Sequence, residues 1–163
     1  MIAGLSVALL GGCAASHQER AHDFYMQGRL DRADDEIEQA MSDDPDDPTI
    51  ANQAAEIFTQ EGLAKYKTDD YSGASTFFHR AIDYCPTYGP AYDYLGQIAF
   101  AKHDWRDAIS YGNEAASYSS QPVPGYVELA KAQQRKVESE NLFAGHGSDS
   151  SPHATAVGAS VAR

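Results

Sequence analysis

Between Ala55 and Tyr88 the small and aromatic residues fall at Gly62, Tyr66, Tyr71, Ala74, Phe78 and Ala81, and Pro86 closes the stretch. Steps of three and four residues place them along helical faces on either side of a break at Asp69-Asp70, a pattern no strand alternation produces. A shift of about 34 residues brings the pattern round again as Leu95, Gly96, Phe100, Trp105, Ala108 and Ala115, with Pro122 at the end. Upstream it recurs as Ala21, Tyr25, Gly28, Leu30, Ala33, Ile37 and Ala40, ending at Pro45. Two places depart: Gly112 stands where the second unit has Phe78, with neighbouring Tyr111 expected to fill the space, and Arg20 stands where the third unit has Leu95. The periodicity predicts helices from Ala14 or Ser16 to about Gln27, Asp31 or Arg32 to Met41, Thr49 to Lys67, Ser72 to Tyr84, Pro90 to Ala101, Arg106 to about Tyr118, and Val123 to about Leu142.

Two antiparallel helices approach closely where one presents Gly or Ala to the other. Gly62 is expected against Ala74, with Tyr66 and Phe78 filling the wider gaps and Pro86 ending the second helix, since proline has no N–H to donate. This set of positions resembles the tetratricopeptide repeat family, which implies an all-α solenoid of antiparallel helix pairs. Repeats fall at about 14–47, 55–88 and 89–122, and 123–142 resembles a capping helix, which together give the continuous core that one hairpin cannot build. Residues 48–54 break the period; with Pro48 favoured at a helix start, they are expected to lengthen one helix and project beyond its neighbours. Trp105 repeats the role of Tyr71 as a flat side chain closing a hairpin.

The first thirteen residues, MIAGLSVALLGGC, are small and apolar and too short to span a bilayer. They read as the apolar core and cleavage region of an export signal. Leu10-Gly11-Gly12-Cys13 resembles the lipobox of bacterial lipoproteins, which implies a lipid on Cys13 and membrane attachment at the bacterial envelope. Ala14 after it resembles the pattern that permits transport to the outer membrane, facing the periplasm. The alternative is a cytoplasmic repeat adaptor to which this leader does not belong. With Cys13 lipidated, Cys85 is the remaining thiol and is expected to be buried. From Ala144 to Arg163 the chain is rich in small residues without an apolar period, and disorder is expected.

The formal net charge of -12 over 163 residues disfavours nucleic acid, whose phosphates such a surface repels. Acidity concentrates in residues 14–47, and Asp34, Asp35, Glu36 and Glu38 form a candidate docking face for a basic partner. The aspartates at 43, 44, 46 and 47 lack the glycine and glutamate of a calcium loop, so a capped turn is expected there and no metal. No catalytic motif joins the six histidines, and no cofactor is expected; an envelope enzyme without a recognisable motif is the rival class. The solenoid offers instead a concave groove, with Gln18, His22 and Tyr25; Thr59, Leu63 and Tyr66; Asp93, Gln97 and Phe100; and Val127, Lys131 and Gln134 as candidate lining. Chaperone-adaptor repeats hold an acidic client terminus with Lys, Arg and Asn at such places, whereas Thr59 and Asp93 stand there in this chain. Aromatic and amide groups suit an extended peptide or a partner helix. The expected function is therefore a non-catalytic scaffold binding a protein or peptide, with self-association possible.

Overall fold

A computed structural model of the protein describes residues 15–145. The lipobox-like leader with Cys13 lies outside the described residues, as does the tail from 146 onward. Among the described residues there are seven helices and no strand: α1 His17–Met26, α2 Leu30–Asp43, α3 Pro48–Tyr66, α4 Tyr71–Tyr84, α5 Gly89–Ala101, α6 Trp105–Tyr118 and α7 Gly125–Gly145. α1/α2, α3/α4 and α5/α6 form hairpins, and α7 packs on the last. This is the tetratricopeptide arrangement of a helix-pair solenoid closed by a terminal helix. α7 runs on through Ala144 and Gly145, two residues the sequence reading gives to the tail.

Local chemistry sets the helix ends. Ser16 accepts from the Glu19 backbone N–H while Glu19 accepts from that of Ser16, a reciprocal cap on α1. Asp47 accepts from Thr49 N–H ahead of Pro48, so the aspartate-rich stretch does provide a cap. Each hairpin turns on one residue in the left-handed region, Gly28 (φ 71°), Asp69 (φ 60°) and His103 (φ 66°). In each, the next N–H reaches back to a carbonyl in the last helical turn: Arg29 to Phe24, Asp70 to Lys65 and Asp104 to Ala99. His103 and Asp69 are thus turn residues. The His103 ring lies 4.9 Å from Trp105, and Asp69 accepts from the Tyr71 hydroxyl.

The small residues of the repeat are buried in all three hairpins: Ala21, Ala33 and Ala40; Gly62, Ala74 and Ala81; Gly96, Ala108 and Ala115. Two expectations about filling need correction. A Cβ on Gly62 would stand 2.6 Å from the Phe78 ring, so the aromatic, and not Ala74, makes the nearest contact there. Phe78 in turn stacks on Tyr94 of the next hairpin, centroids 5.1 Å apart. At Gly112 the space is taken by Val127 Cγ2 and the Tyr126 ring from α7 rather than by Tyr111, and Tyr126 also lies over Gly96. Tyr111 instead packs towards His79 and Tyr92.

The lengthened α3 also behaves differently from expectation. Its added turns do not project: Ile50, Ala54 and Ala55 are buried, Gln53 donates to the Gln18 carbonyl, and Asn52 accepts from the Cys85 thiol. Apolar residues on those turns make burial the favourable outcome. Cys85 is buried as the sequence suggests.

Gly112→Phe, which restores the large residue that Phe78 supplies in the second unit, should destabilise the protein by about 1–3 kcal/mol or more, because α7 already fills the site. Chemical denaturation would measure it. Unchanged or raised stability would show that Tyr126 and Val127 do not occupy that space.

Candidate functional site

The backbones of successive first helices come close, α1 with α3, α3 with α5 and α5 with α7, whereas α2 and α4, and α4 and α6, meet only through longer side chains such as Arg80 with Asp34 and Tyr111 with His79. Curvature therefore places the odd-numbered helices on the inner side. Their polar side chains are cross-linked. Tyr25 donates to Glu56 (2.8 Å), Tyr66 donates to Gln97 (3.4 Å), Gln97 donates to Asp93 (2.9 Å), and Tyr126 donates to the Asp93 carboxylate (3.2 Å).

Several predicted lining residues are committed elsewhere. Val127 is fully buried and Thr59 is 3% exposed, its hydroxyl without a hydrogen-bond partner, so both belong to the core and neither can meet a partner. Tyr66 packs on Tyr71 and Tyr94, and Phe100 on Trp105 and Tyr126, which leaves each half-buried. Lys131 is paired with Glu128 and Gln134 donates to Glu138. His22 is exposed, while Gln18, Leu63, Asp93 and Gln97 are half-buried.

The acidic face is likewise not free. Arg80 from α4 binds both Asp34 and Glu38 of α2 while its guanidinium lies 4.1 Å over the Phe58 ring. Glu36 accepts from His17 and Arg20. Burial opposes its charge, but those bonds hold its carboxyl below the ordinary range. Of the four candidates, Asp35 is the one left exposed without an ion pair. An Arg–carboxylate cluster with a cation–π contact is a packing device between hairpins.

The sequence reading missed three features. Glu56 and Tyr88 lie together with Tyr25 on the inner side. Burial first, and then Glu56, raise both phenols to about 12, so they remain neutral donors. Tyr126 is raised too, by burial and by Asp93. An apolar cavity of about 300 Å³ opens at the start of α5, lined by Pro90, Asp93, Tyr94, Ala116, Pro122 and Pro124 among others. Finally, Glu61 of α3 faces α2 with one carboxylate oxygen buried and unpartnered, as is one of Asp34. Burial, then the charges of Asp34 and Asp31, raise Glu61 to about 7, with Lys65 opposing.

Among the described residues no group of three or more His, Cys, Asp or Glu could hold a metal, and no helix is long and apolar enough to cross a membrane.

A carboxyl whose folded pKa exceeds its unfolded value binds more protons in the folded state. Glu61, ordinarily near 4.5, therefore removes stability as pH rises from about 4.5 to about 7, with no further change above. The melting temperature should fall between pH 5.5 and 8, and Glu61→Gln should flatten that fall and be the more stable form at pH 8. Equal pH slopes for the two proteins would contradict this.

No family model matches the chain. No curated protein matches it either. Among solved structures it is similar to the first tetratricopeptide domain of Spaghetti (RPAP3) bound to the HSP90 peptide SRMEEVD. Identity is 18%, coverage is 77% of this chain and 90% of that one, and the TM-score is 0.42.

Proposed function

We propose that this protein is a non-catalytic scaffold, tethered to the bacterial envelope through a lipid on Cys13, which holds another protein on the inner face of its helix stack. The observation that carries the reading is the inner face itself. Four first helices present a cross-linked strip of Tyr, Gln and carboxylate groups beside an apolar cavity, the mixture of anchors and hydrogen-bonding groups that suits an extended chain or a helix. The acidic face is the weaker docking candidate, because Arg80, Arg20 and His17 already engage three of its carboxylates.

Membrane attachment follows from the sequence at Leu10–Cys13. Each buried methylene contributes about 0.8 kcal/mol, so several acyl chains anchor firmly. An outer-membrane position facing the periplasm is the proposed location, resting on Ala14 after the cysteine.

Two measurements test the reading. Metabolic labelling with a fatty-acid analogue should mark the wild-type protein and not Cys13→Ser, and the variant should leave the membrane fraction; an unlabelled wild type in the soluble fraction removes the tether. Crosslinking in native membranes followed by mass spectrometry should recover a reproducible protein partner. Recovery of lipid and the protein alone would leave self-association in place of recruitment.

A further inference from the structure

Five carboxylates of α2 and α7 have cations beside them, whereas Asp31, Asp35, Asp43 and Glu138 have none among the described residues. Asp34 and Glu38 have Arg80, Glu36 has Arg20, Glu128 has Lys131 and Glu140 has Lys136. On the inner side Asp93 has both oxygens taken, one by Gln97 and one by Tyr126. Glu56 differs. It is exposed, no cation among the described residues pairs with it, and its Oε1 accepts from the Tyr25 hydroxyl at 2.8 Å. That bond joins α1 to α3 and fixes the carboxylate in place. The Tyr88 phenol lies within electrostatic range of both Glu56 and Tyr94. Tyr94 is a wall of the 300 Å³ cavity, and Gly89 and Pro90, which follow Tyr88 in the chain, are two more.

A carboxylate held by one tyrosine and flanked by a second therefore leads into an apolar cavity. The walls are rigid: Pro90, Pro122 and Pro124 have fixed φ, so little order must be imposed when a guest enters. The volume is at the lower end of ligand-sized cavities, roughly 300–1,000 Å³, and suits one large apolar side chain. Paired aromatic faces beside a carboxylate accommodate the stem and head of Lys or Arg.

We infer that the strip from Glu56 through Tyr88 and Tyr94 to the Pro90–Pro124 cavity binds a protein segment that carries a basic side chain, received by Glu56, next to a large apolar one, received by the cavity. This rests on the partner-binding reading above and gives the partner its chemistry. An acidic segment is refused, because Glu56, Asp93 and a net charge of -12 all oppose it.

The test is selection of a displayed random octapeptide library on the full-length protein, with Glu56→Gln and Ala116→Trp selected in parallel and their folding checked by thermal melting. Wild type should enrich peptides with Lys or Arg at one place and a large apolar residue at another. Glu56→Gln should lose the basic preference, weaken the best wild-type peptide at least about tenfold, and keep the apolar preference; Ala116→Trp, which fills the cavity, should do the reverse. Enrichment of acidic peptides, or of peptides that bind both variants as they bind wild type, overturns this inference and leaves partner binding standing. Enrichment of no peptide at all overturns both. Should Ala116→Trp fail to fold, Ala116→Leu, a smaller side chain at the same wall, takes its place.

Discussion

An aromatic ring laid against a glycine holds this stack together. Phe78 occupies the place where any side chain on Gly62 would stand, and its other side stacks on Tyr94, so one ring joins α3, α4 and α5. A fully buried ring of this kind is worth about 3–5 kcal/mol against truncation to Ala. The next junction has the same need and meets it in another way. With Gly96 and Gly112 both lacking side chains, α7 supplies Tyr126 and Val127 to the space, and the Tyr126 hydroxyl finds Asp93. The terminal helix is consequently part of the third hairpin's core as well as its cover. A hairpin cannot bury its own apolar stripe, and here the dependence reaches down to single atoms.

Electrostatics follows the same logic. A chain of net charge -12 must prevent its carboxylates from driving the hairpins apart. Arg80 does this across α2 and α4 while resting on Phe58, and Arg20 does it between α1 and α2, where His17 is hydrogen-bonded to the same carboxylate. Half-buried Glu61 is pressed by like charges instead, with Lys65 opposing them. Glu61 lies against Asp34 and Asp31, and protonation near neutrality is the route by which α2 and α3 tolerate it. The inner strip is separate from this pairing. Its phenols stay protonated, and its one exposed carboxylate without a cation is positioned by Tyr25.

The fold was legible where position alone forces identity. Ala33, Ala40, Ala74, Ala81, Ala108 and Ala115 are buried between the helices, so their spacing announces the hairpins. The turns at Gly28, Asp69 and His103 were legible as breaks between helices, but the left-handed geometry that all three share was not, since Asp69 and His103 carry side chains into it. The filler of Gly112 was not legible, because it arrives from α7 on a different helix and not from the neighbouring Tyr111. Nor was the loss of the acidic face, since Arg80 lies 46 residues from Asp34. Thr59 and Val127 share groove positions by count, yet burial takes both into the core. Glu56 was not legible because the hydroxyl that positions it, Tyr25, lies 31 residues away on α1.

Interlocking makes the third hairpin and α7 one cooperative unit, and native-state hydrogen exchange addresses that directly. Comparing wild type with Tyr126→Ala, the expected result is a loss of amide protection throughout α5 and α6 as well as α7, with α1 and α2 little changed. Loss confined to α7 would contradict the account, since it would make that helix a detachable cover on a hairpin complete without it.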